Sequence, residues 1–168
     1  MAWIRTKIKI RSEYTKEQRE AIGQEIVDFI INRSKSGVDK NGDKFPSYSK
    51  SYTNSRDFKF AGKSKGSVNL TLSDEMLNAL KVLSTSKGEI TIGYDRSDDR
   101  NNAVAEGNIK GTYGQSSPIA GKKRDFLGIK KSDLVDNIYA KFPLKDKKKL
   151  SESVLRFITA RQASEEAI

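Results

Sequence analysis

Apolar side chains fall at Ile4, Ile8 and Ile10, with Arg5, Lys7, Lys9 and Arg11 set between and beside them. That alternation predicts a half-buried strand with a basic outer face. Thr15 followed three residues later by Gln18 is a capping-box signature. The helix it opens should run over 16–34, until Ser36 and Gly37 stop it. Ile22, Ile26, Phe29 and Ile30 lie within about 100° on the helical wheel, whereas Val27 and Ile31 point about 140–180° away. A chain this polar has little second layer to cover the far side. The first stripe is therefore expected in the core, and Val27 and Ile31 at a contact with a neighbouring subunit.

Residues 36–69 differ in kind. Turn formers run from Gly37 to Ser47, and aromatics follow at Tyr48, Tyr52, Phe58 and Phe60 before a Gly- and Lys-rich stretch to Gly66. Neither helical nor strand periodicity holds, so an extended loop is expected, of a length that is commonly functional or ordered by a partner. Order returns at Leu70. Ser73 is placed to cap a short helix carrying Met76, Leu77 and Leu80. Residues 81–85 and 89–94 read as a β-hairpin. Residues 95–101 read as a polar turn, 103–105 as a short apolar element and 107–123 as a second extended loop. Ser132 should cap a helix carrying Leu134, Val135, Ile138, Tyr139 and Phe142, ended by Pro143. A last helix would hold Leu150, Val154, Phe157 and Ile158. The expected fold is α+β, an antiparallel sheet packed against a long N-terminal helix, with long loops and C-terminal helices. One domain is expected over 1–142, with a helical extension over 143–168.

Composition narrows the chemistry. The 168 residues include no cysteine and no histidine. Thiol nucleophiles, disulfides, His-based triads and His-ligated zinc are thereby excluded, and a non-enzymatic role without cofactor is expected. The net charge is +10, and residues 36–70 hold seven basic against three acidic side chains. Such a balance favours contact with polyanions. Lys59, Lys63 and Lys65, interleaved with Phe58 and Phe60, have the basic-aromatic mixture of nucleic-acid surfaces; the alternative is a loop anchored by its aromatics and kept soluble by its lysines. No apolar run approaches the roughly 18 residues of a membrane span, and the N-terminus lacks a signal peptide's apolar core. A cytoplasmic-type chain is expected.

Three other patterns carry less. Asp39, Asn41 and Asp43 imitate the start of a calcium loop, but the sixth and twelfth positions are Lys44 and Lys50, so an Asn-Gly turn is expected. Gly62-Lys63-Ser64 resembles the end of a P-loop, but Asp57 stands where its first glycine belongs. Asp95, Asp98 and Asp99, with Glu106, could be drawn as a magnesium-dependent nuclease cluster. They crowd one polar stretch between arginines, and solvated surface is the plainer reading.

Four segments resemble the tail-completion, or virion-morphogenesis, proteins of tailed bacteriophages. The first is the long helix followed by Gly37-Val38-Asp39-Lys40-Asn41-Gly42-Asp43-Lys44-Phe45-Pro46, similar to the family's turn before an aromatic-proline region and a basic loop. The second is Leu70 to Leu77. The third is Ile90-Thr91-Ile92-Gly93-Tyr94, then Asn102 to Asn108. The fourth is Lys123-Arg124-Asp125-Phe126-Leu127-Gly128-Ile129, leading into a helix; Asp125 departs from the proline usual there. The resemblance covers roughly residues 15–142. It implies a homo-oligomeric ring, often a hexamer, at the head-tail junction of the virion, around the channel that DNA crosses. Its implied partners are head-side connector or adaptor proteins and tail terminator or tail tube proteins, with assembly in the host cytoplasm and no membrane contact. Within this reading Lys59, Lys63 and Lys65 are candidates for the DNA channel or a partner loop. Arg124, with Phe126 and Gly128, is a structural anchor expected to bind backbone carbonyls or a carboxylate. A stand-alone basic nucleic-acid-binding protein is the main rival, and a metal-dependent nuclease the second.

Overall fold

The strand expected at the start of the chain forms as β1 (Arg5–Lys9), but its neighbour is not the next strand in sequence. The structure, a computed structural model, describes residues 2–66, 68–70, 74–112 and 122–144. Ser73 and residues 145–168, including the expected last helix, lie outside them. β2 (Lys81–Ser86) and β3 (Glu89–Gly93) form the hairpin read from the sequence. Its Lys87-Gly88 turn puts Gly88 at a φ of +86°, a conformation glycine adopts without steric cost. β1 then pairs antiparallel with β3, giving the order β1-β3-β2. The central strand is the best buried: Ile90 and Ile92 are wholly inaccessible. The fold is α+β, with this sheet, one long helix and several shorter ones.

α1 (Lys16–Lys35) starts where the capping box predicts. The Thr15 hydroxyl accepts from the Gln18 N–H at 3.2 Å, and the Gln18 side chain accepts from the Thr15 N–H at 3.0 Å. Its buried residues are Ile22, Gly23, Ile26, Val27, Ile30 and Ser34. On the wheel these fill one continuous stripe about 140° wide. The assignment of Val27 to a subunit contact is therefore wrong: it is 2% exposed and belongs to the core. The small residues Gly23 and Ser34 pull the stripe's centre round towards Val27. Cover comes from two sources, since α1 touches both the sheet and the helical turn at 134–138. Phe29 and Ile31 flank the stripe, half-buried. At Gly23 the helix lies so near β2 that an added Cβ would stand 2.8 Å from the Val82 side chain.

The 36–69 segment is folded rather than extended. Ser49 and Ser55 accept hydrogen bonds from the N–H groups of Tyr52 and Phe58, capping α2 (Lys50–Thr53) and α3 (Arg56–Phe60). Phe45, Phe58 and Val68 are buried against residues of the same chain. The Asp39 carboxylate accepts from the N–H groups of Asn41 and Asp43, which makes the expected turn and uses one of its oxygens on backbone.

After α4 (Glu75–Asn78) and the hairpin, the polar turn, the short apolar element and the start of the second expected loop together form a twelve-residue helix, α5 (Asp99–Lys110). Residues 113–121 of that loop lie outside the described residues. Its buried face is partly polar, which hides its period. Asn102, 2% exposed, accepts from the Ile4 N–H at 2.7 Å and donates to the Asp95 and Asp98 carbonyls at 2.7 and 2.9 Å. Asn108 donates to the Val104 carbonyl at 2.9 Å. Nor does Ser132 cap the next helix. α6 (Lys131–Asp133) begins after Lys130 and continues as a π-helical turn, Leu134–Ile138, and a 3-10 turn, Tyr139–Lys141.

Candidate functional site

Three rings organise the basic-aromatic segment. Tyr48, Tyr52 and Phe58 lie with centroids 5.2 to 5.6 Å apart, two of the pairs edge-to-face, the arrangement that the charge distribution of aromatic rings favours. The Tyr48 hydroxyl is fully used. It donates to the Asn69 carbonyl at 2.6 Å and accepts from the Asn69 N–H and the Lys63 ammonium, both at 3.2 Å. The Lys63 ammonium and the Arg124 guanidinium both face the Tyr48 ring, 5.2 and 5.5 Å from its centroid. Both cations are half-buried. Burial, and secondarily the Arg124 charge, push the Lys63 pKa below its ordinary value, with Asp74 opposing. Burial likewise lowers that of Arg124, opposed by Tyr48 and Tyr52.

The three candidate lysines thus divide. Lys63 is turned inward onto Tyr48 and Asn69, whereas Lys59 and Lys65 are exposed. Beside Lys59, Phe60 is 88% exposed. Phe58 and Phe60 sit about 200° apart on α3, so burying the first turns the second to solvent. Phe60 counted in the sequence only as one more loop aromatic; the Ser55 cap was the available sign that the two rings would part.

The anchor at 122–129 is built differently from the expectation. Phe126 is wholly buried and Gly128 has a φ of +148°, with the Lys40 side chain close by. Arg124, however, binds no carbonyl or carboxylate among the described residues. Its guanidinium lies over Tyr48 and its Nε is buried without a hydrogen-bond partner among them. The anchoring arginine is Arg33 on α1, whose Nη2 donates to the Phe126 carbonyl at 2.5 Å. Lys40 adds an N–H bond to the Asp125 carbonyl at 2.9 Å and an ion pair to its carboxylate at 2.6 Å. Sequence reasoning missed Arg33 because it reads as an ordinary C-terminal helix cation.

Three of the four acidic residues considered for catalysis have structural occupations; the fourth, Asp99, lies in the first turn of α5. Asp98 caps α5 by accepting from the Asn101 N–H at 3.1 Å, and Asn101 also donates its side-chain amide to it at 2.8 Å. Asp95 pairs with Lys81, and Glu106 with Lys110. Among the described residues no three acidic side chains gather as a metal site would need. The chain matches no family model, no curated protein sequence and no solved structure.

Proposed function

We propose that the chain is a structural protein of a tailed-phage virion, forming a ring at the head-tail junction that joins tail to head around the DNA channel. The observation that carries this reading is the convergence of the four family-like segments. Residues 37–46 meet 123–129 through Lys40 and Asp125. The Arg124 N–H reaches the Asn108 carbonyl at 2.7 Å, joining the fourth segment to the third. The Asn108 amide contacts the Met76 sulfur at 3.9 Å, joining the third to the second. Four separate stretches thus meet in one connected body, so the resemblance falls on a contiguous part of the fold.

Ring contacts then fall on exposed apolar residues, Phe60 foremost, and Lys59 and Lys65 lie alongside to meet partner or DNA. Native mass spectrometry of the purified chain should give a closed oligomer, and gold labelling of virions should mark the neck. A monomer at micromolar concentration that binds nucleic acid with a steep salt dependence would replace this reading with that of a free-standing binding module. Cleavage of plasmid DNA in magnesium would likewise overturn it.

A further inference from the structure

β1 is one edge of the sheet, and among the described residues no strand pairs with its outer side. The Ile10 N–H bonds the Gly88 carbonyl at 2.9 Å and the Ile4 carbonyl accepts from the Tyr94 N–H at 3.2 Å. In an antiparallel ladder this places the N–H and C=O groups of the even-numbered residues towards β3. Those of Arg5, Lys7 and Lys9 then point away from the sheet, and no described residue outside it hydrogen-bonds to them. The opposite edge is blunted, because β2 carries a register break between Val82 and Ser84. β1 pairs over five residues without one.

Beside this open edge lies a groove of about 740 Å³, whose other wall is the chain from Leu127 to Lys131. Ile8, Ile10, Leu127, Leu134 and Val135 give it an apolar lining, and Val135 is 39% exposed there. Lys7, Lys9, Arg11, Lys40, Lys130 and Lys131 line it as well. Lys7, Lys40 and Lys130 are paired with Glu89, Asp125 and Asp133, whereas Lys9, Arg11 and Lys131 have no ion-pair partner among the described residues. No described acidic residue lines the groove itself. Three features therefore coincide: unpaired strand backbone, an apolar lining and one sign of charge.

We infer that this groove receives an acidic segment of another protein, which adds in extended form as a fourth strand beside β1. The backbone edge selects a strand, because its alternating donors and acceptors match only another extended peptide. The cations select acidic side chains. A second copy of this chain would bring a net charge of +10, and residues 145–168 carry six basic against four acidic side chains, so neither brings an overall excess of acid to the groove. Five residues at about 3.3 Å each would span β1. The inference rests on the edge and its charge alone, independently of the virion reading.

The probe is a blocked seven-residue peptide of alternating glutamate and valine, with the lysine-valine counterpart and a seven-nucleotide oligothymidylate as comparisons. NMR-detected amide exchange should show the Lys7 and Lys9 amides slowed about tenfold or more when the acidic peptide binds, and unaffected by the basic one. Lys7→Pro removes one outward N–H, at an edge position where proline is tolerated. It should weaken binding about tenfold more than Lys7→Ala, which removes the same ammonium but keeps the backbone donor. Lys130→Glu with Lys131→Glu should weaken binding and flatten its salt dependence. Should Lys7→Pro unfold, the exchange of wild-type amides still decides. No peptide binding at about 1 mM would overturn the inference. So would binding without slowed exchange at Lys7 and Lys9, or displacement of the peptide by the oligonucleotide at lower concentration.

Discussion

Arg33 and Phe126 are joined across 93 residues of sequence: the arginine on α1 donates Nη2 to the phenylalanine carbonyl at 2.5 Å. The bond fixes the 122–129 segment to the long helix, and the neighbouring Lys40–Asp125 pair fixes it again. Burial is the main influence on Arg33 and lowers its pKa, while Asp133, Asp39 and Asp125 oppose the shift. Arg33 Nε and Nη1 are buried without partners among the described residues, so the cation is held at some desolvation cost.

Arg33→Met keeps most of the stem and removes the donor. A hydrogen bond to a charged group contributes about 1.5–3 kcal/mol, partly offset by the relief of burying charge. A net loss of about 1–2 kcal/mol in urea unfolding is expected, with faster amide exchange confined to residues near Phe126. Unchanged stability and exchange would mean that Lys40 and the Phe126 ring hold the segment by themselves.

Two tyrosines, Tyr94 buried and Tyr48 half-buried, should answer the same substitution in different ways. Tyr94 is wholly buried, burial raises its pKa, and its hydroxyl has no hydrogen-bond partner among the described residues. Tyr48 serves three hydrogen bonds. Tyr94→Phe should leave stability unchanged or raise it by up to about 1 kcal/mol, whereas Tyr48→Phe should lower it by about 1–3 kcal/mol. Thermal melts of the two variants side by side test this, and a Tyr94→Phe loss as large as that of Tyr48→Phe would refute it.

Apolar pattern made β1, the start of α1 and the hairpin legible, because Ile8, Ile10, Ile22, Ile26, Ile90 and Ile92 repeat at the periods their elements require. It failed where small or polar residues face inward. Gly23 and Ser34 widen the buried stripe of α1 towards Val27, whereas a line drawn through Ile22, Ile26, Phe29 and Ile30 leans towards the half-buried Phe29 and leaves Val27 on the wrong side. α5 was invisible for the same reason: Asn102 and Asn108 occupy its inner face, each satisfied by hydrogen bonds that no periodicity reveals. The aromatic cluster was legible as composition, but the roles within it were not. Lys63 and Lys65 are two positions apart, and only the fold of the segment decides which one turns in.

The Asp98 cap carries a pH signature. Hydrogen bonds from the Asn101 side chain and N–H hold its carboxyl below the usual value. A depressed folded-state pKa gives stability that is present above the unfolded value, about 3.9, and lost as pH falls through the folded value. Asp98→Ala should cost about 1 kcal/mol at neutral pH, and its deficit should shrink as the pH is lowered through 4 towards 2. Asp98→Asn keeps a capping oxygen and should lose much less at neutral pH. A deficit for Asp98→Ala that stays constant across that range would show that the carboxylate charge contributes nothing to the cap.

The neighbouring aromatics of α3 separate folding from assembly. Phe58 is 3% exposed and packs against Tyr48 and Tyr52, while Phe60 is 88% exposed, beside Lys59. Truncating a buried phenylalanine costs about 3–5 kcal/mol; truncating one in water costs the fold almost nothing. Phe58→Ala should therefore lower the melting temperature of a dilute monomer, and Phe60→Ser should not. Self-association reverses the order if Phe60 is a subunit contact, since an aromatic that is exposed in the monomer and buried in the ring acts as an anchor there. Sedimentation velocity over a concentration series should show Phe60→Ser shifted towards monomer, with its monomer stability intact. The stability comparison must be made at low concentration, because assembly by itself raises apparent stability. If Phe60→Ser assembles as the wild type does, Phe60 is not a ring contact. Among the described residues, the large exposed apolar side chains then left to make one are Trp3, whose indole N–H donates to the Tyr94 carbonyl at 2.8 Å, and Val135, which the groove beside β1 already claims.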